Sequence, residues 1–155
     1  MNYTQKYLFI SILAFIFYSN TFAQCDYFEN QVECFFLMDT RYKISSQSTN
    51  ASIRPGDTLI FNAILFGNRD YLISLCTLKE YYPISFKITD KNTDEIIYDN
   101  FYDFYSESVG FFVDKTRFVK IEVRVLADKK NYSDVIRKKG CIGLIIQYKV
   151  NFANQ

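Results

Sequence analysis

Apolar and polar residues alternate with period two along much of this chain, the pattern of half-buried strands. From Phe118 to Val125 the alternation is clean, with Val119, Ile121, Val123 and Val125 inward and Lys120, Glu122 and Arg124 outward. Ile84, Phe86 and Ile88 alternate with Ser85, Lys87 and Thr89 behind Pro83, which sits where a strand tolerates a missing donor. The polar run from Asp90 to Glu95 then turns the chain into Ile96-Ile97-Tyr98 and predicts a hairpin. Between Arg54 and Leu78 two apolar strands flank Gly67-Asn68-Arg69-Asp70. Leu59, Phe61, Ala63 and Leu65 share one face of the first strand; Tyr71, Ile73 and Leu75 form the bulkier face of the second, and Leu72, Ser74 and Cys76 the smaller one. This stretch predicts a central hairpin. The last strand, Cys141 to Phe152, puts Ile142, Leu144, Ile146, Tyr148, Val150 and Phe152 on one face, and its other face begins Cys141, Gly143.

Little of the chain departs from that rhythm. Residues 1–23 carry Lys6 as their only charge, an apolar run from Tyr7 to Tyr18, and Thr21-Phe22-Ala23 at the end, which predicts an export signal cleaved after Ala23. The run is about 12 residues against the roughly 20 that span a bilayer, so no membrane span is expected after cleavage. Gln24 before Cys25 argues against a lipid anchor on that cysteine. From Cys25 to Thr40, Asp26 and Glu29 form a capping-box-like start ahead of Phe28, Val32, Phe35 and Phe36 near helical spacing, predicting a short N-terminal helix. Ile44 to Ser52 is small and polar and reads as a loop or weak edge strand. Together these elements predict a single all-β domain over 24–155, an antiparallel β-sandwich of about 7–8 strands, jelly-roll-like, with a closed barrel as the alternative.

Four cysteines, Cys25, Cys34, Cys76 and Cys141, all follow the signal, and an even number in an oxidising compartment predicts two disulfides. Zinc is disfavoured because there is no C-x2-C pair and no histidine. Cys76 and Cys141 each lie on the smaller face of an apolar strand, which favours Cys76–Cys141 and, by subtraction, Cys25–Cys34. A continuous helix would place Cys25 and Cys34 on opposite sides, about 13.5 Å apart along the axis, so helix and local disulfide exclude each other.

Chemistry is scarce. Without Lys6, basic and acidic residues balance at 17 each, and nothing draws nucleic acid or an anionic membrane in bulk. The absence of histidine removes Ser-His-Asp, Cys-His and His-metal arrangements, and the scattered glycines form no phosphate loop. No cofactor and no metal are expected. Asp90, Asn92, Asp94 and Glu95 gather oxygen donors but lack the EF-hand glycine. A glycosidase would need a carboxylate pair, and Asp99 with Asp103 is the candidate, against the plainer reading of acids solvating a loop. Tyr98, Phe101, Tyr102, Phe104 and Tyr105 form the candidate binding surface, able to stack on a sugar or fill a partner's pocket; the same rings would equally close the open end of the sandwich. Acids dominate from Asp90 to Glu107 and bases from Lys115 to Lys139, with a basic knot at Lys129-Lys130 and Arg137-Lys138-Lys139. That is either a bipolar surface or two solvated faces neutralising each other.

PGDT at 55–58, DYLISLC at 70–76 and GCIGLIIQYK at 140–149, behind a signal ending FAQ, resemble a group of small exported proteins of Bacteroidota. The resemblance implies a β-sandwich in the envelope or the secreted fraction and carries over no catalytic residue. The function expected from sequence is a non-enzymatic exported binding module, periplasmic or extracellular, with an envelope protein or glycan as partner. A structural or accessory envelope component is the alternative, and a carboxylate-based glycoside-active enzyme the third.

Overall fold

The structure, a computed structural model, describes Cys25, residues 32–126 and residues 139–150. The expected signal peptide lies outside the described residues, and so do most of the basic knot and the end of the last strand. Among the described residues nine strands form two antiparallel sheets: β1 (Lys43–Ile44), β2 (Thr49–Ile53), β3 (Thr58–Leu65), β4 (Arg69–Thr77), β5 (Ile84–Asp90), β6 (Ile96–Asp99), β7 (Ser108–Val113), β8 (Arg117–Val125) and β9 (Gly140–Val150). One sheet runs β1-β9-β4-β7, with β2 also on β9; the other runs β3-β8-β5-β6. The chain is therefore an all-β sandwich.

The period-two faces meet between the sheets. Val119, Ile121, Val123 and Val125 of β8 pack with Phe86 and Ile88 of β5, Ile73 and Leu75 of β4, and Ile142, Leu144 and Ile146 of β9. The β5–β6 hairpin forms as the pattern predicts, with Ile88 opposite Tyr98.

The central hairpin does not form. β3 pairs with β8 from Thr58 to Leu65, and β4 pairs with β9 on one side and β7 on the other. The link Phe66–Asn68 carries the chain across from one sheet to the other, with Asn68 at φ 59°. Crossing lets the apolar faces of the two strands oppose each other: Leu65 and Tyr71 are both buried. Gly67 makes the crossing possible. A Cβ there would lie 2.9 Å from the Asp114 carbonyl oxygen, because the β7–β8 link stacks on it; the Gly67 N–H donates to Thr116 Oγ1 at 3.2 Å.

The disulfides also differ from expectation. Cys25 bonds Cys141 and Cys34 bonds Cys76, with Cα separations of 5.4 and 5.2 Å. Cys76 and Cys141 do share the outer, small-residue face of neighbouring strands, but in register Cys76 stands opposite Gly143. Each cysteine instead reaches up to the N-terminal segment lying over that face. Cys34, Cys76 and Ile145 form a second, wholly buried cluster with Leu37 and Met38 against it. The Gln147 side chain adds a clamp, accepting from the Asp39 N–H at 3.1 Å and donating to its carbonyl at 2.9 Å. The helix of this segment is the single turn α1, Val32–Phe35; residues 26–31 lie outside the described residues.

The polar stretch after Ile44 is an edge, as one reading had it. β1 and β2 both pair with β9, and between them Ser45 and Ser48 hold the Ile146 backbone, Ser45 N–H to its carbonyl at 2.7 Å and Ser48 Oγ from its N–H at 3.0 Å. Its small hydroxyls work by hydrogen bonding, so it needs no apolar face.

Candidate functional site

The link from β6 to β7 presents the aromatic cluster, and its footing is a buried amide. Asn100 is fully buried; its Oδ1 accepts from Phe86 N–H at 2.8 Å, and its Nδ2 donates to the carbonyls of Ile84 at 2.9 Å and Ser106 at 3.1 Å. These are the ladder bonds that another residue of β6 would have made to β5, supplied by one side chain. The chain then turns through a 3-10 helix, Asn100–Asp103, opened by Asp99, whose Oδ1 accepts from the Phe101 N–H at 3.0 Å. Asp99 Oδ2 also meets Lys87 Nζ at 3.2 Å. Tyr98 donates its hydroxyl to Asp103 Oδ2 at 2.8 Å. Burial and the neighbouring Asp103 carboxylate together push the Tyr98 phenol up to about 12, so it keeps its proton and the bond.

On that base the rings point outward. Phe101 is 61% exposed, Tyr102 83% and Phe104 97%. Phe101 packs edge-on against Tyr102 at 5.3 Å and Tyr105 at 6.0 Å between centroids. Of the five rings singled out in the sequence, Tyr98 turns inward onto Phe86 at 5.3 Å, Tyr105 is half-buried, and Phe101, Tyr102 and Phe104 stand at the surface. Phe104 and Tyr105 both adopt left-handed backbone, φ 49° and 59°. A bulky residue at positive φ is an outlier, costing about 1–2 kcal/mol; here Phe104 is the left-handed cap that ends the 3-10 helix, and the Tyr105 N–H donates to the Asn100 carbonyl at 2.8 Å.

The other chemical candidates are occupied locally. Asp99 and Asp103 spend their carboxylates on the turn and on Lys87 and Tyr98. Asp90 accepts from Asn92 N–H at 2.8 Å and meets Arg117 at 3.5 Å, and Arg117 also reaches Glu95 at 3.3 Å and Asp114 at 3.5 Å. Arg117 thus gathers three carboxylates where β5 and β8 run side by side. Among the described residues no group of three or more His, Cys, Asp or Glu side chains gathers as metal ligands.

A concavity that the sequence pattern does not signal lies at the opposite end of β4, lined by Ser46, Gln47, Ile64, Phe66, Arg69 and Tyr148 among others. In sequence Arg69 reads as a turn residue between Asn68 and Asp70, and the residues that wall the concavity with it, Ser46, Gln47 and Tyr148 among them, are remote along the chain.

No protein-family model matches the chain, and no curated protein matches it. Among solved structures the chain is similar to Aeromonas hydrophila PliG, a periplasmic lysozyme inhibitor of g-type lysozyme, with a TM-score of 0.47 and 10% identity over 72% of this chain and 91% of that one. So distant a likeness transfers no activity. No helix among the described residues is long and apolar enough to cross a membrane.

Proposed function

We propose that the protein is an exported, non-enzymatic binding module whose β6–β7 loop inserts its aromatic rings into a protein partner in an oxidising compartment of the envelope or outside the cell. The observation that carries this reading is Phe104, 97% exposed on left-handed backbone. Strain of that kind persists where the surroundings hold it and a function uses it, and an exposed phenyl gains nothing within its own chain. A protein pocket suits the loop better than a sugar does. Phe101 and Tyr102 stand at 85° to each other and offer an edge and a knob where a sugar ring would need a flat shelf. Two disulfides in so small a domain fit an oxidising compartment.

The test exploits the strain. Phe104→Gly removes the ring and relaxes the backbone, so stability should hold or rise by about 1 kcal/mol while partner binding is lost. In-cell crosslinking of the tagged protein should recover one envelope protein in near-equal amount from the wild type and not from the variant. Equal recovery from both, or recovery of the protein's own copies alone, would replace this reading with a structural role in the envelope.

A further inference from the structure

At the far end of β4 from the aromatic loop, about 17 Å along the strand, Arg69 opens onto a concavity of about 560 Å3. That volume lies within the range of small-ligand sites. The guanidinium lies over the ring of Phe66, 5.1 Å from its centroid, and over that of Tyr148, at 4.7 Å. Laid against rings, it gives up its faces and keeps its in-plane N–H edge. Arg69 is half-buried, yet it joins no ion pair and donates no side-chain hydrogen bond among the described residues. The other partly buried arginine among the described residues, Arg117, collects three carboxylates. Arg69 is therefore a held cation whose donors are left over.

The walls around it are fixed before any ligand arrives. Tyr71, buried in the core, uses its hydroxyl to accept from the Phe66 N–H at 2.8 Å, which sets the first ring. Tyr148 sits on β9, between β4 and β1. Across the concavity the Gln47 amide takes both backbone groups of Ile64, from its N–H at 2.7 Å and to its carbonyl at 2.9 Å, so the turn carrying Ser46 is tied to β3. Ile44 and Ile64 supply apolar wall. Among the described residues the lining holds one cation and no acid, which matches a single negative charge better than the two of a phosphate.

We propose that this concavity is a carboxylate-recognition site, in which Arg69 takes the carboxylate through its N–H edge and Ile44 and Ile64 seat the ligand's apolar body. The chemistry is shared by two sources, the C-terminus of a protein ending in an apolar residue and a free organic acid. The site is separate from the aromatic loop and stands whether or not that loop binds a partner.

The experiment titrates the whole exported chain, disulfides intact, with N-acetyl-Ala-Leu, its C-terminal amide, hexanoate and inorganic phosphate, following backbone amide shifts by NMR. The expected result is saturable binding of a carboxylate with shifts at Ser46, Gln47, Ile64 and Tyr148, weakened at least about tenfold in the amide and in Arg69→Met. Phe104→Gly should leave it unchanged. N-acetyl-Ala-Leu binding more tightly than hexanoate assigns the site to a protein terminus, and the reverse order to a free acid. Equal binding of acid and amide, full binding by Arg69→Met, phosphate binding more tightly than both carboxylates, or no carboxylate binding at all would overturn the proposal. Melting temperatures of wild type and Arg69→Met within about 2 °C guard against a folding artefact.

Discussion

On the outside of the β4–β9 pair, Cys34, Cys76 and Ile145 are wholly buried under the N-terminal segment, and the Gln147 amide is spent on Asp39. On the outside of the β3–β8 pair, Ile60 is 57% exposed, Phe118 48%, and Lys120 meets Glu122 in an ion pair open to water. Both sheets contribute one apolar face to the main core, and among the described residues only one acquires a second layer. The difference is written in small residues. Ser74, Cys76, Cys141 and Gly143 leave room for a covering segment, whereas Lys120, Glu122 and Arg124 are long, charged and self-solvating. A sandwich of this size thereby gains a third layer without further strands.

Removing the covering layer is the severest challenge to that contrast. Replacing Cys34 and Cys76 together with alanine should cost about 4 kcal/mol, from the loop entropy of a bridge spanning 42 residues, and urea unfolding measures it. A loss below about 1 kcal/mol would mean the segment stays in place without its bridge. Next comes Ile145→Ala, which leaves a cavity under the segment and should cost about 3 kcal/mol, against less than about 0.5 kcal/mol for Lys120→Ala on the other sheet. Equal costs would erase the distinction between a covered and a wet face. The smallest effect is acid loosening of the segment's end. The hydrogen bonds from Arg41 hold the Asp39 carboxyl down at about 2 from its ordinary 3.8. A depressed carboxylate contributes its stabilisation above pH 3.8 and loses it as the pH falls toward 2. NMR titration should show that midpoint in the wild type and a return toward the ordinary range in Arg41→Ala.

Strands β5, β8 and β9 were legible because alternation reports which face is buried and nothing else competes for the same signal. β7 alternates too, at Val109, Phe111 and Val113, but the aromatic and acidic stretch directly before it follows no single period. The supposed hairpin at Gly67 failed for a different reason. A short turn joins neighbouring strands or opposite layers with the same residues, and the choice belongs to β8 and β9, more than forty positions downstream. The cysteine pairing shared that limit: the faces of Cys76 and Cys141 were readable, but what covers a face is a tertiary fact. At the candidate site the cluster's position was readable and its exposure was not. Asn100, whose amide turns the loop outward, is an unremarkable polar residue until the edge of β5 is seen to need its bonds.

Asn100 and Gln47 have a consequence for self-association. Each spends a side-chain amide on both backbone groups that a strand edge would otherwise show, Asn100 on β5 beyond the end of β6 and Gln47 on β3 at Ile64. An open edge of an apolar sheet is a template on which another copy can grow. At these two positions a carboxamide already holds the groups that another copy's strand would have to pair with.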